Sequence, residues 1–172
     1  MKKVLLTAAF AVAGMVGVSA QTTGVEGGVH IGIPVGDAAD RASFNVGVDL
    51  AYLHPVASNV RLGVATGYDH FIAKDYTFLG ETYGEDYGFI PLAASAKFDV
   101  AQNFFLGADL GYAFATGDNW KGGLYYQPKV GYSGANFDVY AAYKGLESKR
   151  EVLGREFDAA SSAVAIGFAY KF

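Results

Sequence analysis

The chain has 172 residues, no cysteine and a formal net charge of −4 at pH 7. The lack of cysteine excludes disulfides and thiol chemistry, and the acidic balance argues against a nucleic-acid partner. With 23 Gly, 12 Tyr, 13 Phe and only 17% charged residues, the composition is unusual for a soluble domain. Tyr and Phe favour β-strands, and Gly within strands is typical of places where another backbone comes close.

The first twenty residues have the pattern of a secretory signal peptide. Two lysines follow the initiating methionine, an apolar stretch spans residues 4–18, and small residues precede Gln21 as a cleavage site requires. We therefore expect residues 1–20 to be removed and residues 21–172 to form a single domain.

Eight segments alternate large apolar or aromatic residues with small or charged ones. This period of two is typical of a strand with lipid on one face and a packed interior on the other. The pattern is strictest in the last segment, where Val164, Ile166 and Phe168 alternate with alanine and glycine. The predicted strands cover 24–35, 44–53, 60–68, 89–98, 104–114, 124–132, 137–143 and 162–172.

The connections between these segments alternate in length, and we call the two ends of the predicted structure the turn end and the loop end. The short connections, rich in turn residues, are 54–59, 99–103 and 133–136. The long ones, which hold most of the Asp and Glu, are 35–43, 73–88, 115–123 and 145–161. This arrangement is typical of a meander that closes with an even number of strands. The sequence predicts an all-β fold, a closed eight-stranded antiparallel up-and-down transmembrane barrel.

Charged residues are absent from the predicted lipid-facing positions. A bilayer demands this, since a Lys or Arg at its midplane costs ~2–4 kcal/mol, whereas a soluble barrel exposes charges on its outer face. The charges that fall within the strands are predicted to point inward: Glu26, Asp49, Arg61, Asp69, Lys97, Asp109, Lys129, Asp138, Lys144 and Lys171.

We interpret these interior charges as an ion network. An eight-stranded barrel is just wide enough for side chains to fill it, so charges buried there must pair. Asp109 and Lys129 are expected at similar depth on neighbouring strands, and Glu26 and Lys171 near the turn end of the closing strand pair. A structural network that plugs the barrel is the favoured interpretation. The alternative is a gate whose pairs switch and open a narrow channel.

Aromatic residues near the strand ends predict two girdles at the water–lipid boundaries. The girdle at the turn end comprises Tyr52, Phe98, Phe104, Tyr132, Phe137, Tyr170 and Phe172. The girdle at the loop end comprises Phe44, Tyr68, Phe89, Phe114 and Tyr143.

The sequence resembles the small eight-stranded outer-membrane β-barrel proteins, the group that includes the OmpA transmembrane domain and OmpX, and in particular the barrels of Bacteroidota-type bacteria. The resemblance rests on the stretches 105–112, 127–132 and 169–172. It implies a Gram-negative outer membrane, termini in the periplasm and long loops at the cell surface. It also implies a barrel assembly machinery that reads Tyr170 and Phe172. It implies no single activity, because this fold hosts structural proteins, adhesins, channels and a few enzymes.

The three histidines form no metal-binding pattern, and the sequence predicts no enzyme, no metal and no cofactor. His30 is expected to point inward as a hydrogen-bonded member of the network. His54 is expected in a short turn, and His70 near the loop end of the third strand.

A lipid-modifying enzyme is the second alternative. A deacylase would need His, Ser and an acid on the lipid-facing surface, and the predicted outward faces carry neither His nor acid. In an acyltransferase, His70 and Asp69 would act together with Ser43 or Ser95. An outward-facing catalytic cluster would favour the enzyme, whereas a continuous water path past the interior charges would favour the channel.

The second long loop mixes tyrosine with acidic residues, and the fourth mixes both charges. The first composition suits a protein contact, cation bridges to lipopolysaccharide or a plain solvated loop. The second suits a hairpin that extends the last two strands beyond the membrane and offers an edge to foreign proteins. We therefore expect an outer-membrane barrel with a structural or surface-binding role through its loops. Its expected partners are membrane lipid, lipopolysaccharide and surface proteins.

Overall fold

A computed structural model of the protein describes residues 24–74, 76–78, 81–83, 86–116, 120–152 and 155–172. The predicted signal peptide, residues 1–20, lies outside the described residues. The elements in chain order are β1 (Val25–Val35), α1 (Asp37–Arg41), β2 (Ala42–Ala57), β3 (Val60–Ala73), β4 (Tyr76–Phe78), β5 (Glu81–Tyr83), β6 (Tyr87–Ala101), β7 (Phe104–Ala115), β8 (Trp120–Ser133), β9 (Phe137–Val152) and β10 (Arg155–Lys171).

Eight strands close into one barrel in the order β1-β10-β9-β8-β7-β6-β3-β2, with every neighbouring pair antiparallel. Each barrel strand pairs with the next barrel strand along the chain. β1 closes the barrel against β10 in a register that runs unbroken from Glu26 opposite Lys171 to Val35 opposite Ser162. The remaining strands, β4 and β5, form a small hairpin in the second long connection. The predicted eight-stranded up-and-down barrel is confirmed.

The outer surface of the barrel is a belt of large apolar side chains, because outward and inward residues alternate along each strand. On β7, Leu106 and Leu110 are 49% and 59% exposed, while Phe105 and Asp109 on the opposite face are 2% and 3% exposed. An apolar belt of this kind is unfavourable in water and is the surface that a bilayer requires. We therefore treat the barrel strands as membrane-spanning.

The strands are longer than the sequence pattern predicts. β9 and β10 remain paired as far as Val152 and Arg155, so most of the predicted 145–161 loop is the expected hairpin extension. β2 continues to Ala57, and His54 therefore lies in a strand rather than in the predicted turn. Apolar and polar residues alternate only where one face of a strand is away from water. Because both faces of these extensions meet water, their sequences do not alternate and do not predict strands.

The first long connection contains α1, a five-residue helix at the loop end. Ala38 is fully buried and belongs to a cluster of interior apolar residues. Arg41 Nη2 donates a hydrogen bond to the carbonyl of Ala160 on β10 at 2.7 Å. The helix therefore covers part of the loop end. Within the described ranges, no helix has the length and apolar character needed to cross a membrane.

The barrel interior divides into two regions of opposite character, an apolar plug at the loop end and a charged region towards the turn end. In the apolar plug the rings of Phe71, Tyr87 and Phe89 lie against one another, with centroids 5.0, 5.8 and 6.3 Å apart. The apolar plug comprises Ala38, Ala42, Phe71, Tyr87, Phe89, Ala93, Ala113, Tyr125, Leu146, Ala159 and Ala163.

The membership of Phe89 in this plug corrects one prediction. Phe89 is 1% exposed and faces the interior, so its assignment to the outer aromatic girdle is wrong. Ile90 and Leu92 occupy the outward face of β6, and strand alternation places Phe89 on the inner one. The other predicted girdle residues are exposed or half-buried on the outer surface.

Candidate functional site

The first cluster of interior charges joins three strands that are not all neighbours. Lys97 of β6 donates to both carboxylate oxygens of Glu26 on β1, at 2.8 and 3.0 Å, and also to Asp138 on β9. Its ammonium lies 4.5 Å from the ring centroid of Phe105. Lys97 and Asp138 are almost fully buried. Because these strands lie on different sides of the barrel, the contacts tie its walls together.

Two further cations complete this cluster at the turn end. Arg61 lies 2.6 Å from a carboxylate oxygen of Asp99 and 3.5 Å from one of Glu26. Lys171 lies 3.2 Å from Asp138 and donates to the hydroxyl of Ser133 at 2.8 Å. The turn-end cluster therefore balances three cations with three carboxylates and leaves each charge with a partner.

The second cluster lies deeper in the barrel and is built around Lys144. The Lys144 ammonium is 3.2 Å from Asp49 and 3.0 Å from Asp69. His30 contacts the same two carboxylates, with Nδ1 2.7 Å from Asp49 and Nε2 3.0 Å from Asp69. The hydroxyl of Tyr140 donates to Asp49 at 2.7 Å. Two carboxylates thus share one lysine, one histidine and one phenol.

The position of His30 depends on a glycine of the neighbouring strand. Gly47 pairs with His30 across the β1–β2 ladder, and a Cβ at Gly47 would lie 2.5 Å from the His30 ring. Such an approach is too close for any real side chain, so the His30 ring occupies space that only a glycine at position 47 leaves free.

The third cluster lies against the second on the barrel wall. Lys129 donates to Asp109 at 2.7 Å, and the hydroxyl of Ser95 donates to the same carboxylate at 2.6 Å. The Lys129 ammonium lies 5.8 Å from the ring centroid of Tyr140, which belongs to the second cluster. Asp109 is 3% exposed and the Lys129 side chain is 18% exposed, so the carboxylate is shielded from water more fully than its partner.

The structure places the ten charged residues that are predicted to point inward inside the barrel, but it changes some partners. Asp109 and Lys129 meet as the sequence predicts. Glu26 and Lys171 lie opposite each other in the ladder, yet Glu26 binds Lys97 and Lys171 binds Asp138. Ladder register alone does not reveal these partners, because inward side chains of distant strands meet across the narrow interior.

Little empty space remains between the clusters. Two cavities of ≈ 40 and ≈ 30 Å³ border Asp49 and Lys129, and each has room for a few water molecules only. A recess of ≈ 410 Å³ opens at the turn end beside Arg61, Asp99 and Lys171. In the described part of the chain, no three His, Asp or Glu side chains are placed to hold a metal ion.

The residues proposed for an acyltransferase do not come together. Asp69 points into the barrel and contacts His30 and Lys144, while the next residue, His70, points outward as strand alternation requires. Ser95 is also buried inside, where it donates to Asp109.

The expectation that the outward faces carry no His is wrong for His70 on β3, which is approached by Asp86 from the loop before β6. His70 lies on the outer surface with its Nε2 3.4 Å from a carboxylate oxygen of Asp86. Its Nδ1 lies 3.2 Å from the hydroxyl of Tyr68. The signal that could have found this cluster is the parity of β3, which puts Tyr68 and His70 on one face.

Comparison with known proteins identifies the fold. No known family model matches the sequence, and no curated protein sequence matches it. The structure is similar to the attachment invasion locus protein Ail of Yersinia pestis, with 15% identity, 87% of this chain and 97% of that chain covered, and a TM-score of 0.53. Neisserial surface protein A is similar with 19% identity, 90% and 99% coverage and a TM-score of 0.51. A de novo designed transmembrane β-barrel gives 15% identity, 90% and 100% coverage and a TM-score of 0.51. The chain therefore has the fold of the small eight-stranded transmembrane β-barrels.

Proposed function

We propose that the protein is an integral outer-membrane barrel of a Gram-negative bacterium, with a structural or surface-binding role through its long loops. The observation that carries the proposal is the filled interior, with paired charges towards the turn end and the apolar plug at the loop end. A narrow channel would need a continuous water path, and the buried rings of the apolar plug argue against such a path. On this proposal the ion network is structural and takes no part in catalysis.

Three features support the outer membrane as the location: the apolar belt, the predicted signal peptide and the aromatic end of β10. The backbone N–H of Phe172 donates to the carbonyl of Val25 at 3.0 Å. The rings of Tyr170 and Phe172 meet edge to face with centroids 5.1 Å apart. The last strand thus presents an ordered aromatic end at the seam of the barrel, which suits the assembly signal implied by the family resemblance.

The extended β9–β10 hairpin supports surface binding. β1 ends at Val35 opposite Ser162, so residues 155–161 of β10 pair only with β9 among the described strands. The carbonyls of Ala159 and Ala160 accept hydrogen bonds from the side chains of Ser148 and Arg41. The rest of this segment leaves an edge that suits an added strand from a partner protein. We therefore propose surface proteins, membrane lipid and lipopolysaccharide as partners.

Single-channel conductance in a planar bilayer tests the closed interior. We expect no conductance steps from the purified protein across the voltages that a bilayer tolerates. Reproducible steps that are abolished by Asp109→Leu or Lys129→Met would overturn the proposal in favour of a channel. The barrel fold of each variant is checked beforehand by circular dichroism.

A further inference from the structure

A polar cluster lies on the outer surface of the barrel near the loop end, where β3 and β6 pair. Tyr68 and His70 stand side by side on the outward face of β3, with ring planes inclined by 26° and centroids 6.0 Å apart. Asp86, just before β6, reaches the far side of the imidazole. One carboxylate oxygen of Asp86 also accepts a hydrogen bond from the backbone N–H of Ala73 at 2.9 Å, which fixes the position of this acid.

His70 contacts an acid on one side and a hydroxyl on the other. Its Nε2 lies 3.4 Å from a carboxylate oxygen of Asp86, which is an ion-pair distance and longer than a hydrogen bond. In the tautomer protonated at Nε2, Nδ1 accepts a hydrogen bond from the hydroxyl of Tyr68, and these two atoms are 3.2 Å apart. A carboxylate that orients an imidazole, with the imidazole next to a hydroxyl, is the arrangement that activates an oxygen nucleophile.

The Tyr68 hydroxyl packs over β6 at a position where a glycine leaves room for it. A Cβ at Gly88 would lie 2.4 Å from Tyr68 Oη and 2.9 Å from the hydroxyl oxygen of Thr116. The two hydroxyls therefore lie together over the backbone of Gly88, and any larger residue there would displace them. Thr116 is exposed and supplies a hydrogen-bond donor at this place.

The position of the cluster along the membrane normal indicates which part of a lipid molecule contacts it. Phe44 and Ile72, the pair next to His70 on its loop side, are 56% and 37% exposed. On its other side, Ile90 is 44% exposed. His70 and Asp86 thus lie at the edge of the apolar belt, where an ionisable residue is costly unless it serves a function. This is the boundary between hydrocarbon and headgroups, the level of the acyl ester bonds of membrane lipids.

From this geometry we propose that Tyr68, His70 and Asp86 form an acyl-transfer site for membrane-lipid esters. The activity goes beyond the structural or surface-binding role proposed above. Tyr68 Oη bonds to the ester carbonyl carbon, and the phenol proton passes to His70 Nδ1. The ester C–O bond breaks, and His70 gives the proton to the departing alcohol oxygen. Water then cleaves the acyl-tyrosine; His70 takes a proton from the water and returns one to Tyr68. Thr116 donates to the carbonyl oxygen while it carries negative charge.

The test uses the protein purified in detergent micelles and a p-nitrophenyl ester of a medium-chain fatty acid. We expect a burst of p-nitrophenol and, by peptide mass spectrometry, an acyl group on Tyr68. Tyr68→Phe removes the adduct and the burst. His70→Gln keeps the phenol but removes the base, and we expect its rate to fall about 10²-fold or more.

Two further variants separate catalysis from structure. Tyr143→Phe alters an outward tyrosine of β9 with no histidine partner among its described contacts, and it should react like the unaltered protein. Asp86 acts through His70 as a positioning residue, so Asp86→Asn should lower kcat and leave KM unchanged. The proposal is overturned if the unaltered protein forms no acyl-Tyr68, or if His70→Gln forms it equally fast. Because the assay needs no conductance and no loop partner, its failure leaves the role proposed above intact.

Discussion

The charged half and the apolar half of the barrel interior fill the same narrow space by different chemistry. The apolar plug packs rings and small side chains, and apolar residues of similar volume can replace them at little cost. The charged half needs matched partners, since Glu26, Asp49, Asp69, Asp109 and Asp138 are each shared by two or more donors. Asp138, for example, is held by Lys97 and Lys171. The plug therefore tolerates change that preserves volume, whereas the charged half tolerates only change that preserves charge balance.

The two halves also differ in what they connect. The apolar plug reaches α1 through Ala38 and so joins the barrel to the first long loop. The charged half joins walls of the barrel to one another, because Glu26, Lys97 and Asp138 come from β1, β6 and β9. In the proposed function the apolar plug prevents solutes from passing, and the ion pairs stabilise the shape of the barrel's cross-section. Substitutions in the two halves should separate these tasks.

The largest effect is expected from Lys144→Met. This change removes the cation shared by Asp49 and Asp69 and leaves two buried carboxylates with too few partners. Breaking a buried ion pair in this way destabilises by about 3–5 kcal/mol. Urea unfolding in lipid vesicles, followed by circular dichroism, measures the loss.

A second substitution shows whether charge is the cause. Adding Asp69→Asn to Lys144→Met removes one of the uncompensated carboxylates, and the double variant should recover part of the lost stability. Equal stability of the single and double variants would show that packing of the lysine stem, and not its charge, supports this half.

In the apolar half, Phe89→Ala is expected to cost roughly 3 kcal/mol, at the low end for a buried phenylalanine. Phe71 and Tyr87, which flank the ring, can relax into part of the space. The same unfolding experiment measures the cost, with Phe89→Leu as the matched variant that keeps most of the volume. A loss for Phe89→Leu as large as for Phe89→Ala would contradict the view that this half depends on volume.

The fold was predictable because its main signal is local. The alternation of apolar and polar residues can be recognised within the sequence of a single strand. On β7, for example, Leu106 and Leu110 face lipid and Asp109 faces inward. Turn lengths then fix the number and order of strands. The same alternation predicts that the charged side chains point into the barrel, although it does not predict their ion-pair partners.

The contacts within the site were not predictable in the same way. Lys97 meets Asp138 across the barrel although the two residues are 41 positions apart and lie on strands that do not pair. Such contacts depend on the tilt of the strands and on the reach of long side chains. Neither can be predicted from the residues that flank a position in the sequence. Strand parity places Phe89 inward and His70 outward, but both lie at or just beyond the loop ends of the predicted strands 89–98 and 60–68, where the adjoining loop composition obscures that parity. Asp86 falls in the predicted 73–88 loop, and its contact with His70 has no local sequence signal.

Two glycine variants test how closely the charged half is packed. A Cβ at Gly47 would lie 2.2 Å from the carbonyl oxygen of Tyr68 and 2.5 Å from the His30 ring. Gly47→Ala should therefore displace His30 from its carboxylates and cost about 1–3 kcal/mol. Gly107→Ala is the control, because its nearest atom would be the Ala96 carbonyl oxygen at 3.4 Å. If both variants unfold at the same urea concentration, close approach at Gly47 has no energetic consequence.

The smallest effect is expected where the charged half meets water. Arg61 and Asp99 approach to 2.6 Å, but their side chains are 21% and 37% exposed. Water screens such a pair, and Asp99→Asn should cost only about 0.2–1 kcal/mol. The difference from the unaltered protein should shrink further at high salt, whereas the loss from Lys144→Met should persist there because its partners are buried. Urea unfolding at low and high salt distinguishes the two. A salt-independent loss of several kcal/mol at Asp99 would extend the buried, charge-matched region to the turn end itself.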